Sequence, residues 1–115
     1  MRNQENGMLI LHDESGRHSK RHWVLDQPEM TIGREEDCEI VLDDRKVSRH
    51  HARIVRDREG YLLFDLKSKN GTFINGEPAA YGQRLHDGDE VQIAVSFRLT
   101  FVDAGATVPL FFNAS

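Results

Sequence analysis

Residues 47–54 read Val-Ser-Arg-His-His-Ala-Arg-Ile, placing a hydroxyl, a guanidinium and two imidazoles in consecutive positions just ahead of alternating apolar residues. Two further segments carry donors of the same kind, Gly33-Arg34 and Ser68-Lys69-Asn70-Gly71. Arginine offers a planar fork of N–H donors suited to two oxygens of one phosphate, while a serine hydroxyl and loop amides can satisfy a third. A phosphate monoester carries about −1.5 to −2 charges near neutrality, so its site needs several donors and at least one permanent cation. Arg34, Lys46, Ser48 and Arg49 form such a set. Asn70 both donates and accepts, as gripping a peptide main chain requires.

Plainer roles exist for each residue. Arg34 can pair with Glu35 or Glu36, Lys46 and Arg49 can form a wet charged edge, and Ser48 can bond its own backbone. Asn70 tolerates a left-handed turn ahead of Gly71. A hydrolytic set built from Ser48, His50 or His51 and an aspartate is disfavoured. The serine and histidines lie too close in one tight loop, and neither a nucleophile elbow nor a nucleotide-binding loop is present. Adjacent His50 and His51 on a strand point to opposite faces, and spacing suggests no third ligand, so neither metal nor cofactor is expected. Cys38 reads as a small buried or half-buried loop residue.

Strands must position these loops. Alternation from Ala52 to Ile54 marks a half-buried strand, with the polar cluster at its mouth. A loop held at the end of a rigid sheet is where binding residues concentrate. Further strands are expected at residues 8–11, 23–25, 30–32 and 40–42, with Pro28 in a connection. Residues 57–60 join the Ala52 strand to residues 61–66, with Leu62, Phe64 and Leu66 on one face. Asn75-Gly76 after residues 72–74 is a strong hairpin signal, and Gly88-Asp89 separates residues 84–85 from a strand over 91–95. Phe97, Leu99 and Phe101 alternate in a last strand. No window of helical length shows a clean helical period, so the expected class is an all-β sandwich.

At 115 residues, with 38% hydrophobic and 30% charged residues, the chain is sized for one domain. That domain is expected over residues 8–103, with a poorly ordered N-terminus at 1–7 and a tether at 104–115. A formal charge of −4 argues against nucleic-acid binding. The single Cys38 excludes an internal disulfide and favours a reducing, cytoplasmic setting. No apolar run approaches the roughly 18 residues of a membrane helix, and no signal peptide is evident.

Gly33-Arg34, then Ser48-Arg49-His50-His51, then Asn70-Gly71 followed by Thr72-Phe73-Ile74-Asn75-Gly76, resemble the forkhead-associated (FHA) domain family in order and separation. The resemblance covers residues 8–102. It implies an eleven-stranded two-sheet β-sandwich whose apical loops bind phosphothreonine peptides and recruit phosphorylated proteins in kinase signalling, without catalysis. Arg34 and Ser48 would hold the phosphate with Arg49 and Lys46 assisting. Asn70, beside Lys69, would bond the peptide main chain, while His51, Gly33 and Gly71 would support the loops. One departure stands out: a hydroxyl residue often precedes the family's asparagine, whereas Lys69 stands here with Ser68 one position earlier. A methyl pocket preferring threonine over serine would contribute only about 0.8 kcal/mol. The rival expectation is a phospho-independent assembly domain. A monomer is expected, and Thr107, with Leu110 three residues on, is a candidate phosphorylated ligand for a neighbouring copy.

Overall fold

Strand faces follow from the two-residue period of side chains along an extended backbone. In the computed structural model, which describes residues 6–12, 21–79 and 81–103, eleven such strands form. They are β1 (Gly7–His12), β2 (His22–Leu25), β3 (Glu29–Gly33), β4 (Ile40–Val41), β5 (Ala52–Asp57), β6 (Gly60–Asp65), β7 (Thr72–Ile74), β8 (Glu77–Pro78), β9 (Gln83–Arg84), β10 (Glu90–Ile93) and β11 (Phe97–Asp103). One sheet runs β2-β1-β11-β10-β7-β8 and the other β4-β3-β5-β6-β9. Pairing is antiparallel except between β3 and β4. Leu9, Leu99, Phe101, Val91 and Ile93 from the first sheet and Ile32, Ile54 and Leu63 from the second build the shared core, each 2% exposed or less.

Several elements differ from the sequence expectation. β8 was not foreseen; Asn75 and Gly76 turn the chain into it with φ of 51° and 86°. β10 ends at Ile93 instead of residue 95, because Ala94 takes a φ of 58° and turns away, leaving Val95 67% exposed. Leu62, Phe64 and Leu66 do share a face, but a half-buried one, while Tyr61 and Leu63 point inward. Order begins before residue 8: Gly7 pairs with both Leu25 and Asp103, and Asn6 Oδ1 accepts a 2.7 Å hydrogen bond from Arg56. Thr107 and the rest of the expected tether lie outside the described residues.

Tyr61 ties the sheets together. Its ring meets Phe101 edge-on at 5.5 Å, and its hydroxyl donates to Leu25 O at 3.0 Å while accepting from Gly7 N at 2.8 Å. Outside the core, Arg84 grips Asp57 through two 2.8 Å hydrogen bonds.

Tyr61→Phe leaves Gly7 N and Leu25 O without their partner and should cost about 1–3 kcal/mol in urea unfolding; an unchanged midpoint would show that water replaces the hydroxyl. The Arg84 hydrogen bonds hold the Asp57 carboxyl at about 2, below its ordinary 3.8. The pair's contribution to stability is therefore complete above the ordinary value and disappears as pH falls through about 2. An NMR titration of Asp57 should give that midpoint, and Arg84→Ala should return it to the ordinary range. A wild-type midpoint in the ordinary range would mean that the pair is not formed in solution.

Candidate functional site

The loops expected to carry binding residues meet at one tip of the sandwich because their backbones are sewn together. β3 ends at Gly33, where a Cβ would sit 2.1 Å from Arg49 O and 2.8 Å from Arg49 C, so only glycine lets the strand pass there. Just beyond, Arg34 N donates to Ser48 O at 3.1 Å and Glu35 N to Arg49 O at 3.2 Å. His51, fully buried, extends the seam in both directions. Its Nδ1 accepts from Ser48 N at 3.0 Å, and its Nε2 lies 2.8 Å from Gly71 O. An acceptor at Nδ1 and a carbonyl partner at Nε2 select the tautomer that carries its proton on Nε2.

The loop over residues 66–71 is shaped by Asp65. Its carboxylate accepts from Ser68 Oγ at 2.5 Å, Ser68 N at 3.2 Å and Thr72 Oγ1 at 2.7 Å, while Ser68 Oγ accepts from Gly71 N at 3.0 Å. Lys67 and Gly71 adopt positive φ of 58° and 90° to close this turn. Gly71 O also accepts from Ala94 N at 2.9 Å, tying the turn after β10 to the same tip. Ser68 is thus part of the loop's frame, which accounts for the lysine after it. Lys69 faces solvent with its side chain while its backbone N–H reaches Ser48 Oγ at 3.1 Å. The sequence had offered no role for Asp65 or Thr72. Their signal was present: Asp65 follows Tyr61 and Leu63 in the inward register, and a carboxylate there needs partners.

What these contacts leave unused defines the chemistry. Arg34 is half-buried and pinned by Nε to Val47 O at 2.9 Å, so its plane is fixed while its two terminal nitrogens make no hydrogen bond among the described residues. Ser48 Oγ accepts from Lys69 N and retains its O–H as a donor. Ser48 therefore shapes the turn and keeps a donor at once. Its backbone N–H, not its hydroxyl, meets His51, so the pair is no nucleophile and base. Arg49 is exposed and only 4.0 Å from Glu35, an ion pair worth little in water. Asn70 Nδ2 donates to Lys46 O at 2.8 Å, leaving Oδ1 and one N–H. The tip thus gathers Arg34, Lys46, Ser48, Arg49, Lys69 and Asn70, a local concentration of donors and cations on a chain of net charge −4.

Among the described residues no helix is long and apolar enough to cross a membrane. The family model for the FHA domain matches residues 30–94. The oxoglutarate dehydrogenase inhibitor of Corynebacterium diphtheriae is 40% identical over 97 residues, covering 84% of this chain and 65% of the relative. The glycogen accumulation regulator GarA of Mycolicibacterium smegmatis is 40% identical over 96 residues, covering 84% and 60%. The chain thus spans just under two thirds of the length of these relatives. A solved FHA domain studied for phosphothreonine-dependent interactions superposes with a TM-score of 0.73 at 34% identity, covering 84% of this chain and 95% of that one.

His51→Ala would leave Ser48 N without its acceptor, take one of two donors from Gly71 O and leave a buried hole. Unfolding should show a loss of about 2–4 kcal/mol. A loss below about 0.5 kcal/mol would mean that the loops do not depend on the imidazole.

Proposed function

The chain belongs to the FHA domain family, and from that premise we propose that its loop tip binds phosphothreonine peptides and recruits phosphorylated protein partners. The observation that carries this is the state of Arg34: anchored through Nε to Val47 O, with both terminal nitrogens unbonded among the described residues, while the residue after Val47, Ser48, keeps its O–H and takes Arg34 N on its carbonyl. A preset guanidinium gives up little side-chain freedom when it takes two phosphate oxygens, and charge-assisted hydrogen bonds of this kind contribute about 1.5–3 kcal/mol each. Ser48 O–H supplies a third donor. Lys46 and Arg49, both exposed, add attraction without fixed geometry. Asn70, steadied on Lys46 O, offers Oδ1 and its second N–H to the peptide main chain, with Lys69 alongside.

The relatives are named as an inhibitor and a regulator, which supports a role in which binding, not bond-making, is the output. Phospho-independent assembly is less favoured. The large exposed hydrophobics among the described residues are the scattered Val24, Tyr81 and Val95, not a patch. A lone buried cysteine suits a cytoplasmic setting. Self-association through a phosphorylated Thr107 would use this same tip, so Arg34→Ala is its control as well.

Calorimetry with paired phosphorylated and unphosphorylated threonine peptides should show binding of the first alone. Arg34→Ala should weaken that binding on the order of a hundredfold, the equivalent of two tenfold steps of 1.4 kcal/mol, with an unchanged fold by NMR. Equal affinity for the two peptides, or retained affinity in the variant, would overturn the mechanism.

A further inference from the structure

Where the β3–β4 loop meets the β4–β5 loop lies a cluster that the proposed phosphate site leaves unused. Asp37, Cys38 and His50 bring a carboxylate oxygen, a thiol sulfur and an imidazole nitrogen within 4.8 Å of one another. His50 Nε2 already lies 3.0 and 3.2 Å from the two Asp37 oxygens. Cys38 forms the floor, 6% exposed, while Asp37 and His50 face solvent. Ligands bonded to one tetrahedral zinc at about 2.0–2.3 Å stand roughly 3.3–3.8 Å apart, so the cluster is at most about 1.5 Å wider than a filled site. Turning two exposed side chains closes that difference. Sequence spacing suggested no third ligand because the three come from two loops. With His51 turned into the core, His50 projects outward to the loop that carries the other two.

We propose that Asp37, Cys38 and His50 form a three-ligand site for a zinc-class divalent cation, with the fourth position open to water. The donor set selects the metal: thiolate and imidazole suit zinc and its borderline neighbours, whereas magnesium and calcium take oxygen ligands. The solvent-facing pair provides the way in, and the buried sulfur provides the anchor. Burial first, then the Asp37 carboxylate, with Glu39 and Glu35 adding, hold the thiol above its ordinary value. The cation must therefore displace the sulfur's proton to bind: the S–H bond breaks, the metal–sulfur bond forms and the proton leaves to solvent. Taking up a divalent cation and releasing the thiol proton raises the charge of the site by one. Afterwards the cation balances carboxylate and thiolate.

The site also sits against the backbone of Gly33 and Arg49. Cys38 Sγ is 3.4 Å from Arg49 O and 2.9 Å from where a Cβ on Gly33 would stand. Removing a negative charge there should strengthen the hold of Arg34 and Arg49 on an anion, and by reciprocity a bound phosphopeptide should tighten metal binding. This coupling, unlike the metal site itself, rests on the phosphothreonine reading.

The test is a Co2+ titration of the protein without peptide, followed by displacement with Zn2+. The wild type should develop a saturable thiolate-to-cobalt charge-transfer band that Zn2+ bleaches. Cys38→Ala should lack the band. His50→Ala, at an exposed position that leaves the core intact, should weaken metal binding about tenfold or more. No thiolate band in the wild type, or an unchanged titration in His50→Ala, overturns the site whatever the peptide does. With Zn2+ bound, phosphothreonine-peptide affinity should rise on the order of fivefold. Equal affinity with the site filled removes the coupling and leaves the metal site standing.

Discussion

One neutral imidazole with its proton on a single nitrogen holds the working end of this protein together. His51 is reached by the Ser48 amide from one side and reaches the Gly71 carbonyl on the other, so two loops far apart in sequence share one buried connector. Both of its nitrogens are committed, and no water is needed to complete the account. Ser48 can therefore present its hydroxyl at a fixed height, and Lys69 N can lean on that hydroxyl. The order of dependence runs inward to outward: core, imidazole, serine, then the wet lysines and arginine at the rim.

The tip shows a division of labour between rigid and loose charge. Arg34 is anchored at Nε and half-buried, the kind of preset donor from which a directional bond gains most. Lys46, Arg49 and Lys69 are exposed and lightly held, so in the proposed function they would draw an anion in without dictating where it rests. In the proposed function, a domain with an overall negative charge would in this way remain selective for one doubly charged group, because its long-range field does not favour polyanions and only the local geometry would reward a phosphate.

How much of this was legible in the sequence depended on whether a feature was local. Arg34, Ser48 and Asn70 could be read because each sits where alternation stops and turn chemistry begins, and donor types at strand ends narrow the chemistry quickly. β8 could not: two residues, one of them a proline, have no period to detect. The inward face of β6 was not singled out, because alternation says which residues share a face and not which face turns in; Tyr61 on that face carries the cross-sheet contacts and Asp65 the loop's frame. The nearness of Asp37 and Cys38 to His50 lies beyond any local pattern. It arises from the backbone seam that draws Glu35 and Arg49 together.

The pairing of β1 with β11 brings Gly7 opposite Asp103. Both therefore stand at the pole away from the loops, since β11 starts beside the turn after β10 and runs the length of the sheet. Six residue steps from Phe97 to Asp103 cover about 20 Å of extended strand. A residue four positions beyond Asp103 is leashed to within roughly 14 Å of it. The length of one strand thus takes up nearly the whole reach that such a residue would need to return to its own domain's loop tip.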